Sequence, residues 1–282
     1  MKLIRYSEKL QQILEKERAR GKTVGFVPTM GALHDGHLSL VRASNCENDV
    51  TVVSIFVNPT QFVANEDYAK YPRVLAEDIE KLRAVKVHYL FCPSVAAMYP
   101  EGYATFVDVS PRLANVLCGK FRPGHFRGVA TVVAKLLNIT GPCRLYLGAK
   151  DFQQVTVISQ LVRDLNLPIR VRVMPTVREK DGLAMSSRNR YLSPRERYRA
   201  LAISRALFTF KKDLLRRKRG GFAGLKARAL QELKKNVDRV QYFEIVEPGT
   251  LLPLKKYQRD AIILTACFVG KTRLIDNVII RA

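Results

Sequence analysis

His34 and His37, two of the four histidines in the chain, stand three residues apart in Pro28-Thr29-Met30-Gly31-Ala32-Leu33-His34-Asp35-Gly36-His37. An apolar run, Thr23 to Val27, precedes this segment, and an amphipathic run, Leu38 to Ala43, follows it. The order reads as a strand, a glycine-containing turn and a helix start. Free N–H groups and the positive dipole end of such a helix favour phosphate oxygens. Two imidazoles held there suit the handling of phosphate charge. They do not make a zinc site by themselves, because no third convergent ligand is evident.

Four further segments carry groups of the same kind. In Asn58-Pro59-Thr60-Gln61-Phe62, Gln61 is either a ligand residue facing a crevice or part of a strand-exit turn. In Phe121-Arg122-Pro123-Gly124-His125-Phe126-Arg127-Gly128, an anion could be oriented, although His125 fits a packed or capping role better. In Gly148-Ala149-Lys150-Asp151-Phe152-Gln153-Gln154, Lys150 can neutralise a phosphate. Asp151 is a helix cap or a ribose or metal contact, and Gln154 can reach a hydroxyl or carboxylate. In Met185-Ser186-Ser187-Arg188-Asn189, two hydroxyls and a guanidinium suit triphosphate oxygens or form a capping and ion-pair cluster. Neither serine has an adjacent base, and no G-x-S-x-G segment exists, so neither reads as an acylated nucleophile. Gly270-Lys271-Thr272 ends like a phosphate loop, but the required earlier glycine is Thr265, so it reads as a β-turn.

These segments need a frame. Strand patterns at Thr23 to Val27, Asp49 to Phe56, Val87 to Phe91, Arg144 to Leu147 and Ile169 to Met174 alternate with helical ones at Ser7 to Arg20, Leu38 to Glu47, Ala76 to Ala84, Gly128 to Ile139 and Gln153 to Leu165. Nearly continuous apolar strands separated by helices predict a doubly wound parallel sheet, with ligands beyond the C-terminal strand ends. The later part changes character. Ser193-Pro194-Arg195-Glu196 starts a helix to about Arg217, Gly220-Gly221 breaks it, and Phe222 to Lys235 forms another. Strand patterns at Val240 to Val246, Ala261 to Phe268 and Arg273 to Ile280 complete a smaller α+β unit. The expected division is 1–176 and 177–282.

The bulk numbers bound the class. At 282 residues and 47% hydrophobic, the chain can bury a large core. No apolar run reaches the length of a membrane helix, and the charged N-terminus lacks a signal-peptide core. Five scattered cysteines without a CxxC pair suggest reduced cytosolic thiols. The net charge of +23, from 48 Lys+Arg against 25 Asp+Glu, admits a polyanionic partner. That charge is scattered, with its densest cluster at Lys211-Lys212 to Arg219, and small anionic substrates do not require it.

Together the motifs closely resemble the pantoate–β-alanine ligase (pantothenate synthetase) family over essentially the whole chain. PTMGALHDGH resembles the nucleotide signature of the wider group containing class I aminoacyl-tRNA synthetases and nucleotidylyltransferases. NPTQF, Tyr71-Pro72-Arg73, FRPGHFRGV, GAKDFQQ, DGLAMSSRNRYL and Arg273-Leu274-Ile275-Asp276-Asn277 follow in order. The resemblance implies a Rossmann-like ATP- and pantoate-binding domain at 1–176 and a C-terminal lid at 177–282. It implies that ATP and pantoate form pantoyl adenylate, which β-alanine attacks to give pantothenate and AMP. By the same resemblance, His34 and His37 stabilise triphosphate charge, Met30 lies beside the pocket, and Gln61 and Gln154 hold pantoate. Gly148, Lys150 and Asp151 lie around the nucleotide, with Lys150 on phosphate and Asp151 near ribose. Ser186, Ser187 and Arg188 form a mobile phosphate-binding loop, and Glu77 or Asp78 helps organise Mg2+. A cytoplasmic homodimer is implied, with no membrane and no requirement for nucleic acid.

Asp35 replaces the family's usual glutamate, and Ala149 replaces the glutamate of Gly-Glu-Lys-Asp. Two other readings compete. Another adenylyltransferase shares the histidine logic but does not need Gln61 and Gln154 around pantoate. A nucleic-acid-binding protein leaves the ordered motifs unexplained.

Overall fold

The computed structural model describes residues 1–64, 66–216, 221–255 and 260–280. Six parallel strands form the main sheet: β1 (Lys2–Ile4), β2 (Val24–Thr29), β3 (Val50–Ile55), β4 (Tyr89–Phe91), β5 (Cys143–Gly148) and β6 (Ile169–Met174). Their order is β1-β4-β3-β2-β5-β6. β3 and β4 extend to one side of β2, and β5 and β6 to the other. The winding therefore reverses between β2 and β5, where the carboxyl ends of two neighbouring strands open a crevice. The expected doubly wound sheet is present. The three-residue β1 is an addition, too short to show any periodicity in the sequence.

Side chains alternate between two apolar layers. Val24, Phe26, Val50, Val52, Leu145 and Leu147 join one core with α1 (Ser7–Ala19), α7 (His125–Thr140) and α8 (Phe152–Asp164). Val27, Val53, Leu90 and Tyr146 face the other, with α2 (Asp35–Glu47) and α3 (Leu75–Ala84). Between β4 and α7 the chain makes three single-turn helices, α4 (Val95–Met98), α5 (Pro111–Ala114) and α6 (Cys118–Phe121).

The remaining elements are α9 (Pro194–Leu215), α10 (Gly221–Asn236) and an antiparallel sheet of β7 (Arg239–Val246), β8 (Ala261–Val269) and β9 (Thr272–Ile280). The Ser193 hydroxyl accepts the Glu196 N–H, and the Glu196 carboxylate accepts from Ser193 N–H at 2.8 Å, closing the expected capping box. Val269 pairs with Thr272, so Gly270-Lys271 is a two-residue hairpin turn, as the sequence indicated. The expected break at Gly220 and the basic residues Arg217 to Arg219 lie outside the described residues.

This second sheet is buried on both faces. Phe243, Ile245, Ile263 and Cys267 pack into a core with α9 and α10. Val246, Ile262 and Leu264, together with Leu251, belong to the same core as α7 and α8.

Candidate active site

The site begins where β2 ends. Gly31 (φ +80°) and Ala32 (φ +51°) turn the chain into α2 through the left-handed region, which favours glycine. His34 caps α2: its Nδ1 accepts the Gly36 N–H at 3.1 Å, and His37 Nδ1 accepts the His34 N–H at 3.4 Å. A backbone N–H can only donate, so both Nδ1 atoms are unprotonated acceptors. Each neutral ring therefore carries its proton on Nε2. The rings lie 4.0 Å apart, tilted by 35°. Burial lowers the His34 pKa to about 4, with the nearby Lys150 charge adding to the effect. Burial, then His34 and Lys150, hold His37 well below the usual imidazole value. The pair thus adds two neutral N–H donors to the residues that line the crevice.

α3 clamps this turn from beneath. The Asp78 carboxylate accepts the N–H groups of Ala32 and Leu33, each at 2.8 Å, and Lys81 Nζ donates to Leu33 O at 2.9 Å. Asp78 is 1% exposed, and burial raises its pKa above the ordinary carboxylate value despite the two amides. Both of its oxygens are thus occupied by the loop. Glu77 is exposed and lies 3.9 Å from both Lys81 and Arg190. Neither carboxylate lines the crevice. The structure gives Asp78 to the backbone of the histidine loop, where the resemblance implied magnesium.

At the neighbouring strand end, Gly148 leads into a 3₁₀ turn, Ala149–Asp151, carrying Lys150. Lys150 Nζ lies 3.6 Å from Asp151 Oδ2. The Asn277 side-chain amide, from β9, donates to the carbonyls of Ala149 and Lys150, each at 2.8 Å. Ala149 itself is buried, and its carbonyl carries one of the two Asn277 contacts. Gln153 and Gln154 divide their roles. Gln153 is consumed by the backbone of Leu113, Val116 and Cys118, whereas Gln154 lines the crevice.

The opposite wall is built around Gln61. Asn58, 1% exposed, donates from Nδ2 to Gly128 O at 3.2 Å and to Gln61 Oε1 at 3.1 Å. The Gly128 carbonyl can only accept, which fixes Asn58 Nδ2 as the donor and Gln61 Oε1 as the acceptor. Gln61 Nε2 is left to point elsewhere, 3.2 Å from Met30 Sδ. Below it, His125 is buried between Gln61 O, 2.7 Å from Nδ1, and Arg122 Nη1, 2.8 Å from Nε2. Arg122 is itself bidentate to Glu66. These contacts give His125 a packed, structural place, and it also lines the crevice.

The serine loop closes the outer side. Ser186 Oγ accepts the Arg188 N–H, Ser187 Oγ lies 3.2 Å from the buried Tyr71 hydroxyl, and Arg188 forks onto Asp67 at 2.7 and 3.0 Å. Ser186, Ser187 and Arg188 line the same crevice as Met30, His34 and His37. Gly148, Lys150 and Asp151 line it too, as do Gln61 and Gln154. Segments far apart in the chain are thus brought to one place. Lys81 carries no signal in the sequence, and Asn58, Arg122 and Asn277 stand in segments singled out there without a contact assigned to them. Asn58 had a visible signal, since it opens an Asn-Pro turn directly before Gln61. Among the described residues, no group of three or more His, Cys, Asp or Glu could hold a metal ion.

Comparison with known proteins agrees with this geometry. The family model for "Pantoate-beta-alanine ligase" matches residues 2–279. A pantothenate synthetase from a Sulfurihydrogenibium species is 50% identical, covering 99% of each chain. Pantothenate synthetase 1 from Bradyrhizobium diazoefficiens is 52% identical, over 99% of this chain and 98% of its own. The crystal structure of pantothenate synthetase from Thermus thermophilus superposes with a TM-score of 0.93 at 44% identity, covering 99% of both chains. That of the pantoate-beta-alanine ligase from Francisella tularensis, complexed with beta-gamma ATP and beta-alanine, gives 0.82 at 39% identity, with 99% of this chain and 97% of its own covered. With the crevice at the winding reversal and the ordered motifs around it, the chain belongs to the pantoate–β-alanine ligase family, the AMP-forming ligases that condense pantoate with β-alanine at the cost of ATP.

Proposed function

We propose that the crevice performs both half-reactions, holding the nucleotide phosphates and pantoate side by side. The observation that carries this reading is the gathering of His34, His37, Lys150, the Ser186–Arg188 loop, Gln61 and Gln154 around one crevice. In the first step a pantoate carboxylate oxygen attacks the α-phosphorus of ATP, and the bond to the pyrophosphate oxygen breaks. Both reactants are anions, so the step requires charge neutralisation and alignment more than a covalent protein nucleophile. His34, His37 and Lys150 supply donors and charge to the triphosphate; Met30, Gly148 and Asp151 flank the nucleotide. Ser186, Ser187 and Arg188 close on its phosphates, for which Arg188 exchanges its Asp67 partner for oxygen anions. Gln61 Nε2 and Gln154 orient pantoate. In the second step the neutral β-alanine amine attacks the acyl carbon, AMP leaves, and the nitrogen loses a proton.

Mg2+ fits this site as a companion of the nucleotide. Asp151 is the one acidic side chain among the described lining residues, and Mg2+ commonly binds through phosphates, waters and one or two carboxylates. Bound there, it would neutralise phosphate oxygens. Residues 1–176 and 177–282 are the proposed units, and a homodimer is the proposed assembly; light scattering near twice 32.0 kDa would support it, and a monomer mass would exclude it. Five free cysteines support a reducing, cytoplasmic setting. No described helix is long and apolar enough to cross a membrane. The test of function is pantoate-dependent exchange of pyrophosphate into ATP without β-alanine, followed by pantothenate and AMP formation once β-alanine is added. Folded, magnesium-supplied protein that does neither would refute the assignment.

A further inference from the structure

Arg273-Leu274-Ile275-Asp276-Asn277 supports the family resemblance, yet nothing in the two half-reactions uses it. Its last two residues are buried, each 3% exposed, and the Asn277 side chain meets the turn that carries Lys150. Asn277 is fixed on every side. Its N–H donates to Asp276 Oδ1 at 2.7 Å, and its carbonyl accepts from Arg178 Nη2 at 3.1 Å. Arg178 in turn forks onto Asp276 at 2.7 and 2.8 Å. The side chain projecting from this fixed point spends both amide hydrogens on consecutive carbonyls, those of Ala149 and Lys150. A 3₁₀ turn of three residues has little hydrogen bonding of its own to define it. Arg178 also ties this pair to the segment before the serine loop: its guanidinium donates to Gly182 O at 3.1 Å, and its backbone pairs antiparallel with that of Ala184, two residues before Ser186.

We propose that Asn277 is a positioning residue for adenylate formation: its amide, anchored by the Arg178–Asp276 pair, sets the Lys150 turn in register with the Ser186–Arg188 loop. This rests on the reading of Lys150 as a phosphate-neutralising group. The physical requirement is plain, since a point charge on a flexible stem acts on the leaving pyrophosphate only if its backbone is placed for it. Lys150 works in the first half-reaction, so loss of Asn277 affects that step and spares the second.

The test substitutes Asn277→Asp, which keeps the size but turns both donors into acceptors, and Asn277→Ala, which removes the amide without adding charge. Each is measured alone and with Lys150→Ala. Pantoate-dependent ATP–pyrophosphate exchange reports the first step; β-alanine attack on preformed pantoyl adenylate, on the same sample, reports the second and corrects for the active fraction. The expected result is an exchange rate about 10- to 100-fold lower in either Asn277 variant, as for a displaced catalytic group. The second step stays within twofold, and the Asn277 change adds nothing further in the Lys150→Ala background. Proportional loss of both steps, or losses that multiply in the double variant, would show a merely structural residue and overturn the proposal. A normal exchange rate in both Asn277 variants, with a loss in Lys150→Ala, overturns it alone. Unchanged exchange in Lys150→Ala overturns the Lys150 assignment with it.

Discussion

At the scale of single residues, the decisive property is protonation. A histidine pair beside a triphosphate invites the picture of two cations, but the backbone N–H groups of His34 and Gly36 fix both rings as neutral Nε2–H donors. Nitrogen-detected NMR of the free protein at pH 7 should show unprotonated Nδ1 and protonated Nε2 at both positions; a cationic ring at either would disprove the arrangement. Replacing His37 by Ala should lower adenylate formation about 100-fold, the usual effect of removing one donor aimed at developing charge. Pantoate KM should change little, and an unchanged exchange rate would remove His37 from the chemistry. The buried His125 gives a stability prediction. Burial lowers its pKa to about 3, against 6.5 unfolded, so the unfolded chain binds more protons between these values. This contribution is complete above pH 6.5 and is lost as pH falls through that window towards 3. Urea midpoints at pH 7.5 and 5 should therefore differ less in His125→Asn than in the parent; an equal difference would deny His125 that role. The residues that could touch substrate were legible in the sequence because function needs particular side chains at strand ends. The contacts of Asn58, Arg122 and Asn277 were not, although their motifs were visible, because they act on carbonyls and on other side chains that only the fold brings near.

At the scale of elements, the site is held by close approaches between backbones. α7 meets the Pro59–Gln61 turn at Gly128, where an added Cβ would stand 2.1 Å from Thr60 O and 2.7 Å from Gln61 N. Alanine in a helix interior normally gains about 1 kcal/mol over glycine. Here a contact with backbone at 2.1 Å cannot be relieved by a rotamer, and overpacking of this kind costs about 1–3 kcal/mol. Gly128→Ala should therefore be destabilising in a thermal melt and should raise pantoate KM through Gln61; a stabilised protein with unchanged KM would contradict this. α3 acts on the histidine loop through Asp78. Asp78→Ala strands two amide donors and should cost about 2–4 kcal/mol, with adenylation reduced by the loosened loop. Its Mg2+ activation curve, once scaled for rate, should superpose on that of the parent. A shifted curve would restore Asp78 as a metal ligand. The longer helices and strands are legible within a few residues from periodicity, since apolar alternation and spacing are local, whereas β1 and the single-turn α4, α5 and α6 are too short to show it. The pairing of α3 with the β2–α2 loop is not local, and a carboxylate in the first turn of a helix looks the same whether it meets a metal or an amide.

At the scale of the whole molecule, the question is what moves. The C-terminal unit is expected to close over the crevice and exclude water from the labile adenylate. Its sheet, however, buries one face against the core of α7 and α8 through Val246, Ile262 and Leu264. Thr156 in α8 also donates to Pro248 O. Rotation of the unit as a body would expose that apolar seam, and relative motion of domains is the ordinary expectation only where the interface is small or polar. Cheaper closure is available in the serine loop, whose grip on the parallel domain depends on exchangeable polar contacts, the Arg188–Asp67 fork and the Ser187–Tyr71 hydroxyl pair. Binding of a non-hydrolysable ATP analogue with pantoate should therefore slow hydrogen exchange in peptides covering 29–37, 148–154 and 176–191. Those covering β8 should be unaltered, and the radius of gyration in solution scattering should stay constant. A measurable contraction, with changed exchange across β7 and β8, would instead show the whole unit swinging and the seam opening. In that event the Asn277 amide could not stay on the Lys150 turn throughout the cycle, so the small loop motion and the fixed clamp stand or fall as one description.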